Sequence, residues 1–381
     1  IEEDTFSGCV SLSEFDIPKS IEVIGKNAFL KCSSLKEIVI PPSVKFICQD
    51  AFKECSSLKT LEIPSSVISI EQNAFSYCTA IEMIKVDPFC TKMDDSVFNG
   101  SKLDQSHLIV ESSAISSHQI KFDQMNRFLK ITLPSSLTAI EDNSFNGYSY
   151  LTKIKIPSSV QSIGEKSFQG CSKLTHITIP SSVVSIGCNS FSECQSLISI
   201  DIPSSVKSIG KRAFYRCLKL SKITIPTSIV MIEEETFYEC RSLEEFVIPD
   251  GLRFIEKNAF SRCSSLKEIA IPASVKSVGQ NSFNECSSLS KIIIDPFLTE
   301  FESSAFQNCE SMKYLVITSS IKIIDRIYFN QIKQFSSIEL PSTVTTISNN
   351  AFSEFSNLSS INIPSSVTSI GSNAFYKCSQ L

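Results

Sequence analysis

The sequence predicts a β-rich solenoid, and three observations carry that prediction. Phenylalanine recurs every 23 residues along the chain, with a slip of one residue after Phe98. Apolar residues alternate before each marker, as at Ile177 and Ile179, which is the period of a β-strand. No unrelated sequence separates the marked segments, and a fixed short period of this kind identifies a repeat protein. The marker phenylalanines are Phe6, Phe29, Phe52, Phe75, Phe98, Phe122, Phe145, Phe168, Phe191, Phe214, Phe237, Phe260, Phe283, Phe306, Phe329, Phe352 and Phe375.

The chain is expected to form a single array over residues 1–381, with about 16–17 repeats, because each repeat of a solenoid contacts mainly its neighbours. Two stretches are irregular, around 87–133 and 295–345, and a variant Asp-Pro-Phe bend appears at Asp87 and at Asp295. The first stretch is interpreted as a kink, a protruding loop or a decayed repeat. The array begins at Ile1 and ends at Leu381 inside repeats, which indicates a segment of a longer protein.

Each repeat is predicted to begin with a strand of the parallel sheet. In the repeat at 174–194, Ile177 and Ile179 are expected to face inward because alternate side chains of a strand face opposite ways. His176 and Thr178 then face outward. Pro180 follows, and it is expected to bend the chain because its missing N–H would break a ladder bond in a central strand.

The second half of each repeat is predicted to hold a bend, a short strand and a short helical turn. Ser182 is expected to bond a carbonyl that the bend leaves unpaired inside the coil. Gly187 is expected to supply unusual dihedral angles at the next corner. The segment from Ser190 to Cys194 is expected to form one helical or 3-10 turn that places Phe191 and Cys194 on the same side.

Twelve of the 15 cysteines follow a marker phenylalanine by three residues. Where cysteine is missing, this position holds mostly apolar residues such as Tyr148 and Phe355, so the column is interpreted as buried free thiols that pack as small hydrophobes. Disulfide bridges and a zinc site are disfavoured, because the side chains of such a column run parallel and do not converge. Cys48, Cys90 and Cys188 lie outside this column and are expected to be the more exposed thiols.

The composition argues against several classes of function. The 35 basic and 40 acidic residues give a net charge of −5 without a cluster of Lys and Arg, so nucleic acid is not expected as a partner. No apolar run approaches the roughly 20 residues of a membrane-spanning helix. The three histidines, at 107, 118 and 176, lie in no arrangement typical of a catalytic triad. The segment is therefore predicted to be non-catalytic, without cofactor or metal.

The repeat follows the pattern L-x-x-I-x-I-P-x-S-V-x-x-I-G-x-x-A-F-x-x-C over essentially the whole chain. This pattern resembles the BspA-like class of leucine-rich repeats, which is found in bacterial and protist surface proteins. The resemblance implies a leucine-rich repeat superhelix with a concave parallel sheet, and short strands and turns on the convex side. It also implies a location at the cell surface or outside the cell, and a role in adhesion to host cells or matrix proteins.

One column of outward positions in the predicted sheet is apolar, whereas most others are polar. Val247, Ala270, Ile293 and Val316 occupy equivalent positions in four successive repeats, and Tyr314 lies beside the last of them. An exposed apolar stripe of this kind usually marks a contact site, so these five residues are a candidate partner-binding surface. Strand propensity alone and burial by the chain itself are the two other interpretations.

The sequence favours a non-catalytic protein that binds another macromolecule through its concave face, with a host or matrix protein as the expected partner. The alternative is an intracellular scaffold for protein–protein interactions, which buried free thiols would suit equally well. A carbohydrate-binding module is a third possibility that predicts aromatic platforms on the concave face, where Tyr314 alone qualifies.

Overall fold

A computed structural model of the chain describes residues 1–86, 92–94, 96–103, 106–110, 127–294, 300–302, 304–318, 321–325 and 333–381. The chain forms two compact units, residues 1–182 and residues 183–381. The described residues contain strands and turns but no α-helix, and hence no helix that is long and apolar enough to cross a membrane. The single array over 1–381 stays a prediction.

The first unit is built from short strands that pair in parallel with their equivalents in the next repeat. A sheet of long strands, in the order β2-β4-β6-β7-β8-β10, forms one face, and two-residue strands form the ladders β1-β3-β5 and β9-β11. The strands are β1 (Val23–Ile24), β2 (Glu37–Val39), β3 (Phe46–Ile47), β4 (Thr60–Ile63), β5 (Ser69–Ile70), β6 (Met83–Val86), β7 (His107–Val110), β8 (Lys130–Thr132), β9 (Ala139–Ile140), β10 (Lys153–Lys155) and β11 (Ser162–Ile163).

The second unit repeats this arrangement. Its long strands form the sheets β13-β15 and β18-β20-β22-β24-β26, and its two-residue strands form the ladders β12-β14, β16-β17-β19-β21 and β23-β25-β27. The strands are β12 (Ser185–Ile186), β13 (Ser199–Asp201), β14 (Ser208–Ile209), β15 (Lys222–Thr224), β16 (Met231–Ile232), β17 (Phe254–Ile255), β18 (Glu268–Ile271), β19 (Ser277–Val278), β20 (Lys291–Ile294), β21 (Glu300–Phe301), β22 (Tyr314–Ile317), β23 (Ile323–Ile324), β24 (Ser337–Glu339), β25 (Thr346–Ile347), β26 (Ser360–Asn362) and β27 (Ser369–Ile370).

The core of each unit consists of continuous columns of equivalent side chains. In β18 the burial alternates, with Ile269 and Ile271 buried and Glu268 and Ala270 exposed, as the period of two requires. The marker phenylalanines stack on one another, with ring centroids 5.0 Å apart between Phe29 and Phe52. The predicted inward faces of the strands and the phenylalanine column are therefore confirmed in the inner described repeats. In the terminal repeats Phe6, Ile361 and Phe375 are half-buried, and Ile363 and Ile370 are exposed.

The segment around each described marker phenylalanine is a series of turns, so the predicted helical turn is wrong for these repeats. Asn27 and Lys31, two residues before and after Phe29, have left-handed φ angles of 55° and 61°, which interrupt any helix. The N–H of Phe29 consequently donates to the carbonyl of Ala51 in the next repeat, at 2.7 Å. The turns thus form a further hydrogen-bonded ladder between repeats.

One sequence signal for these left-handed positions exists, because Asn tolerates positive φ better than most residues. Asn holds the position two residues before the marker in many repeats. The residues concerned are Asn27, Asn73, Asn143, Asn189, Asn258, Asn281, Asn350 and Asn373.

The bend serines act as predicted in several repeats. The hydroxyl of Ser182 donates to the carbonyl of Val160 at 2.5 Å, and equivalent bonds join Ser43 to Ile21 and Ser366 to Val344. The same bond recurs at Ser159 and Ser228. The hydroxyls of Ser66, Ser205 and Ser274 are buried without a hydrogen-bond partner among the described residues.

The corner glycines serve a different purpose from the one predicted. Gly210, equivalent to Gly187, does not have a positive φ. A Cβ at Gly210 would instead lie 2.6 Å from the backbone nitrogen of Cys188 in the preceding repeat. The glycine therefore permits close approach of two backbones, and unusual dihedral angles are not its role.

The irregular stretch around 87–133 keeps its place in the long-strand sheet where it is described. His107 in β7 pairs with Met83 of β6 on one side and with Lys130 of β8 on the other. The Asp-Pro-Phe bends at 87–91 and 295–299, together with Cys90, Phe122 and Phe329, lie outside the described residues.

Candidate protein-binding surface

The apolar column predicted from the sequence forms a continuous stripe on the second unit. Val247 bridges to Ala270, Ala270 pairs with Ile293, and Ile293 pairs with Val316, all in parallel register. Tyr314 precedes Val316 by two residues on β22, so both side chains lie on the same face. These five residues, which we call the apolar stripe, are thus brought together.

Exposure varies along the apolar stripe. Val247 is 81% exposed and Tyr314 is 51% exposed, and Ala270 is also exposed. Ile293 and Val316 are half-buried. Among the described residues nothing covers Val247, so burial by the chain itself does not account for this end of the stripe.

A groove of about 640 Å³ runs along the exposed end of the apolar stripe. Three carboxylates contribute to it, and no Lys or Arg among the described residues does. The carboxylate of Glu268 lies 3.6 Å from Lys291, whereas Glu245 and Asp250 have no ion pair within the described part of the chain. The lining consists of Glu245, Phe246, Val247, Ile248, Asp250, Glu268, Ala270, Ile271, Pro272, Ala273, Ser274, Ile293 and Thr318.

Polar residues bound the apolar stripe along the array. At the position equivalent to Val316, β24 carries Glu339, which pairs with Val316 in register. On the other side, the equivalent residue of β15 is Thr224, which faces Asp201 of β13. The stripe is therefore limited to four successive repeats.

Two strands of the first unit's long-strand face, β7 and β8, were not among the outward positions read from the sequence, and counting from the markers fails for β7. The one-residue slip after Phe98 shifts His107 out of the expected position, yet it lies in register with Met83 and Lys130. Its Nε2 lies 2.8 Å from the hydroxyl of Thr132. Burial, and to a smaller extent the charge of Lys130, lower the pKa of the His107 imidazole.

The cysteine column is interior, as predicted, in all described repeats except the first. Cys9 is exposed. The prediction that off-column thiols are more exposed holds for Cys188, which is exposed, and for Cys48, which is intermediate. None of the described cysteines is part of a disulfide.

Most buried thiols also make a specific contact that sequence reasoning missed. The thiol of Cys240 donates to the carbonyl of Phe214 in the preceding repeat at 3.3 Å, and that of Cys263 donates to Phe237 at 3.2 Å. Ser101 replaces cysteine and makes the same bond, to the carbonyl of Phe75, at 2.9 Å. The position therefore combines packing with hydrogen bonding.

Burial disfavours the thiolate form of most thiols in this column, whereas a hydrogen bond with Cys286 lowers the pKa of Cys309. Burial raises the pKa of Cys78 to about 12 and that of Cys32 to about 11. The thiolate, which is the nucleophile and the metal ligand, is accordingly rare at neutral pH. Within the described ranges no group of three or more His, Cys, Asp and Glu side chains is placed to hold a metal ion.

Solved structures of several bacterial repeat proteins are similar to this chain. A leucine-rich repeat protein from Bacteroides ovatus is 25% identical, with 85% of each chain covered and a TM-score of 0.44. A leucine-rich cell surface protein from Faecalibacterium prausnitzii is 24% identical, with 84% of this chain and 83% of that chain covered and a TM-score of 0.34. The pneumococcal vaccine antigen PcpA is 22% identical, with 81% and 74% covered and a TM-score of 0.38.

Among curated proteins, none matches the chain. The repeat sequence itself matches the family described as "BspA type Leucine rich repeat region (6 copies)" over residues 1–121, 118–233, 162–289, 207–333 and 254–381. These matches cover the chain from end to end, and a repeat family of this kind implies a protein-binding role. The chain belongs to the BspA-type leucine-rich repeat family.

Proposed function

We propose that this protein is a non-catalytic adhesion or recognition module of the cell surface, and that the apolar stripe is where it binds a partner protein. The observation that carries the proposal is the exposure of Val247 and Tyr314 on one face of a sheet whose neighbouring outward positions are mostly polar. The burial of an exposed valine side chain by a partner protein removes apolar surface from water and so stabilises the complex. An exposed tyrosine is a frequent anchor of protein interfaces.

Strand propensity alone is the competing explanation for the apolar stripe. It accounts for Ile293 and Val316, which are β-branched and half-buried between neighbouring strands. It accounts less well for Ala270, which is depleted in strands, and for the groove that opens beside Val247. The combination of groove, valine and tyrosine therefore favours contact with a partner.

The location at the cell surface is supported by the family and by similar proteins such as the Faecalibacterium prausnitzii cell surface protein. Buried free thiols are equally compatible with a reducing compartment, which keeps the intracellular scaffold as the second candidate. A matrix-protein array supports the first candidate if a matrix protein binds, and a pull-down from cytosol supports the second.

Two substitutions test the apolar stripe against a matched control. We expect Val247→Glu and Tyr314→Ala each to weaken binding of the captured matrix protein about tenfold or more, because each removes about 1.4 kcal/mol or more of contact free energy. The melting temperature should change little, since both side chains are exposed. Surface plasmon resonance on each variant measures the effect.

Val39→Glu is the control, because Val39 is 70% exposed at the equivalent strand position of the first unit. It should leave the affinity unchanged. Equal affinity of the wild type, Val247→Glu and Tyr314→Ala would discard the apolar stripe as the binding surface.

A further inference from the structure

A second groove, of about 580 Å³, lies on the turn side of the first unit. It follows two columns of residues, which come two and four positions after the marker phenylalanines of the first four repeats. Successive repeats are about 4.8 Å apart, so four repeats extend over about 14 Å. We call this groove the turn groove, and it is lined by Val10, Lys31, Ser33, Glu54, Ser56, Tyr77 and Thr79.

Tyr77 is the aromatic wall of the turn groove and is held in an unfavourable conformation. Its φ is 58°, a left-handed value that costs a bulky residue about 1–2 kcal/mol, whereas the equivalent Gly147 and Gly170 adopt it freely. The ring is 50% exposed. It lies over Gly100, where a Cβ would come within 2.5 Å of the ring, so the absence of a side chain at Gly100 lets the ring occupy this place.

The charged residues of the turn groove make no ion pair among the described residues, unlike two pairs of equivalent residues in the second unit. In the second unit the same column holds Arg262 and Glu285 in adjacent repeats, and these two side chains form an ion pair at 3.1 Å. Lys31 and Glu54 are likewise one repeat apart, yet in the described part of the chain neither makes an ion pair within 4.0 Å. Both charged groups are therefore available to a ligand.

The hydroxyls of the turn groove are also weakly engaged. Those of Ser33 and Ser56 donate to backbone carbonyls of the preceding repeat at 3.5 Å, the outer limit of a hydrogen bond. They lie one repeat apart in a single column, and Thr79 continues this column in the next repeat. A ligand that extends along the array can therefore contact one hydroxyl in each of the three repeats that carry Ser33, Ser56 and Thr79.

We propose that the turn groove binds a carbohydrate chain, with Tyr77 as the platform on which one sugar ring stacks. The face of an aromatic ring carries negative partial charge, which attracts the polarised C–H groups of a pyranose ring. Lys31 donates hydrogen bonds to sugar hydroxyls, and the carboxylate of Glu54 accepts them. With one cation and one carboxylate in the lining, a neutral oligosaccharide matches the groove better than a polyanion does.

Tyr77→Gly removes the platform without disturbing the turn, because glycine occupies the same position at Gly147 and Gly170 with φ values of 77° and 73°. Glu193→Gly is the matched control, since Glu193 has the same left-handed conformation at the equivalent position outside the turn groove. Isothermal titration with neutral hexasaccharides of glucose, mannose, xylose and N-acetylglucosamine is the measurement. At least one of these hexasaccharides should bind the wild type and Glu193→Gly with equal affinity. The same hexasaccharide should bind Tyr77→Gly at least tenfold more weakly.

A fluorescent variant provides an independent readout. The chain contains no tryptophan, so Tyr77→Trp keeps an aromatic platform and introduces a single reporter of its surroundings. Its emission should shift when the bound hexasaccharide is added, and the affinity should stay within about threefold of the wild type. The proposal is overturned if no hexasaccharide binds the wild type, or if Tyr77→Gly binds as tightly as the control.

Discussion

Replacing Phe214 by alanine is expected to lower the free energy of unfolding by about 3–5 kcal/mol. The ring of Phe214 is fully buried, and it stacks between Phe191 at 5.6 Å and Phe237 at 5.5 Å. Truncation removes its transfer free energy and leaves a cavity that neighbouring repeats close incompletely, because the hydrogen-bonded ladders hold them in register. Chemical denaturation of both proteins, monitored by circular dichroism, gives the difference.

Phe254→Ala is the control for this experiment, because Phe254 is a phenylalanine that is 37% exposed on the short-strand side. It should lose clearly less stability than Phe214→Ala, since its ring already contacts water. A loss no larger for Phe214 than for Phe254 would show that the marker column is not the core.

The second large effect concerns Glu239, whose carboxylate is almost completely buried between two arginines. Arg216 approaches it at 3.0 Å, and Arg241 bonds its other oxygen. We expect Glu239→Gln to lower the free energy of unfolding by about 1–3 kcal/mol at neutral pH, because the hydrogen bond from Arg241 and the attraction of the Arg216 guanidinium both depend on the negative charge of this buried carboxylate. Equilibrium denaturation at low and high salt measures the loss.

Glu268→Gln serves as the comparison, because Glu268 is exposed and lies 3.6 Å from Lys291. Exposed ion pairs contribute about 0–1 kcal/mol and are screened by salt. The loss at Glu239 should therefore be larger and should persist at 1 M salt, where the Debye length is about 3 Å. Equal losses at both positions would contradict the assigned environment of Glu239.

The strands and the core columns were predictable because a strand has a period of two. That period alone places Ile269 and Ile271 inside, and the repeat length then places their equivalents in the same columns. The register of the apolar stripe, from Val247 to Val316, followed from the same strand period and the same repeat length of 23 residues. The exposure of the apolar stripe could not be predicted from these periods, because the half-burial of Ile293 depends on the neighbouring strands.

The turns could not be predicted in the same way. A phenylalanine and a cysteine three residues apart fit a helical turn as well as they fit a left-handed turn, and only the recurrent asparagines distinguish the two. The turn groove was missed for the same reason, since outward positions were counted on strands alone and Tyr77 lies in a turn. His107 was missed because one inserted residue shifts the count.

Thiol labelling tests most directly whether equivalent side chains form interior columns. The native protein would be treated with N-ethylmaleimide without reductant, and mass spectrometry would measure the modification of each cysteine before and after unfolding in guanidinium chloride. Cys9 and Cys188 should react in the native protein, whereas the buried thiols, such as Cys78, Cys217 and Cys240, should react only after unfolding. Labelling of these buried thiols in the native protein at the rate of Cys188, or their failure to react after unfolding, would contradict an interior column of free thiols.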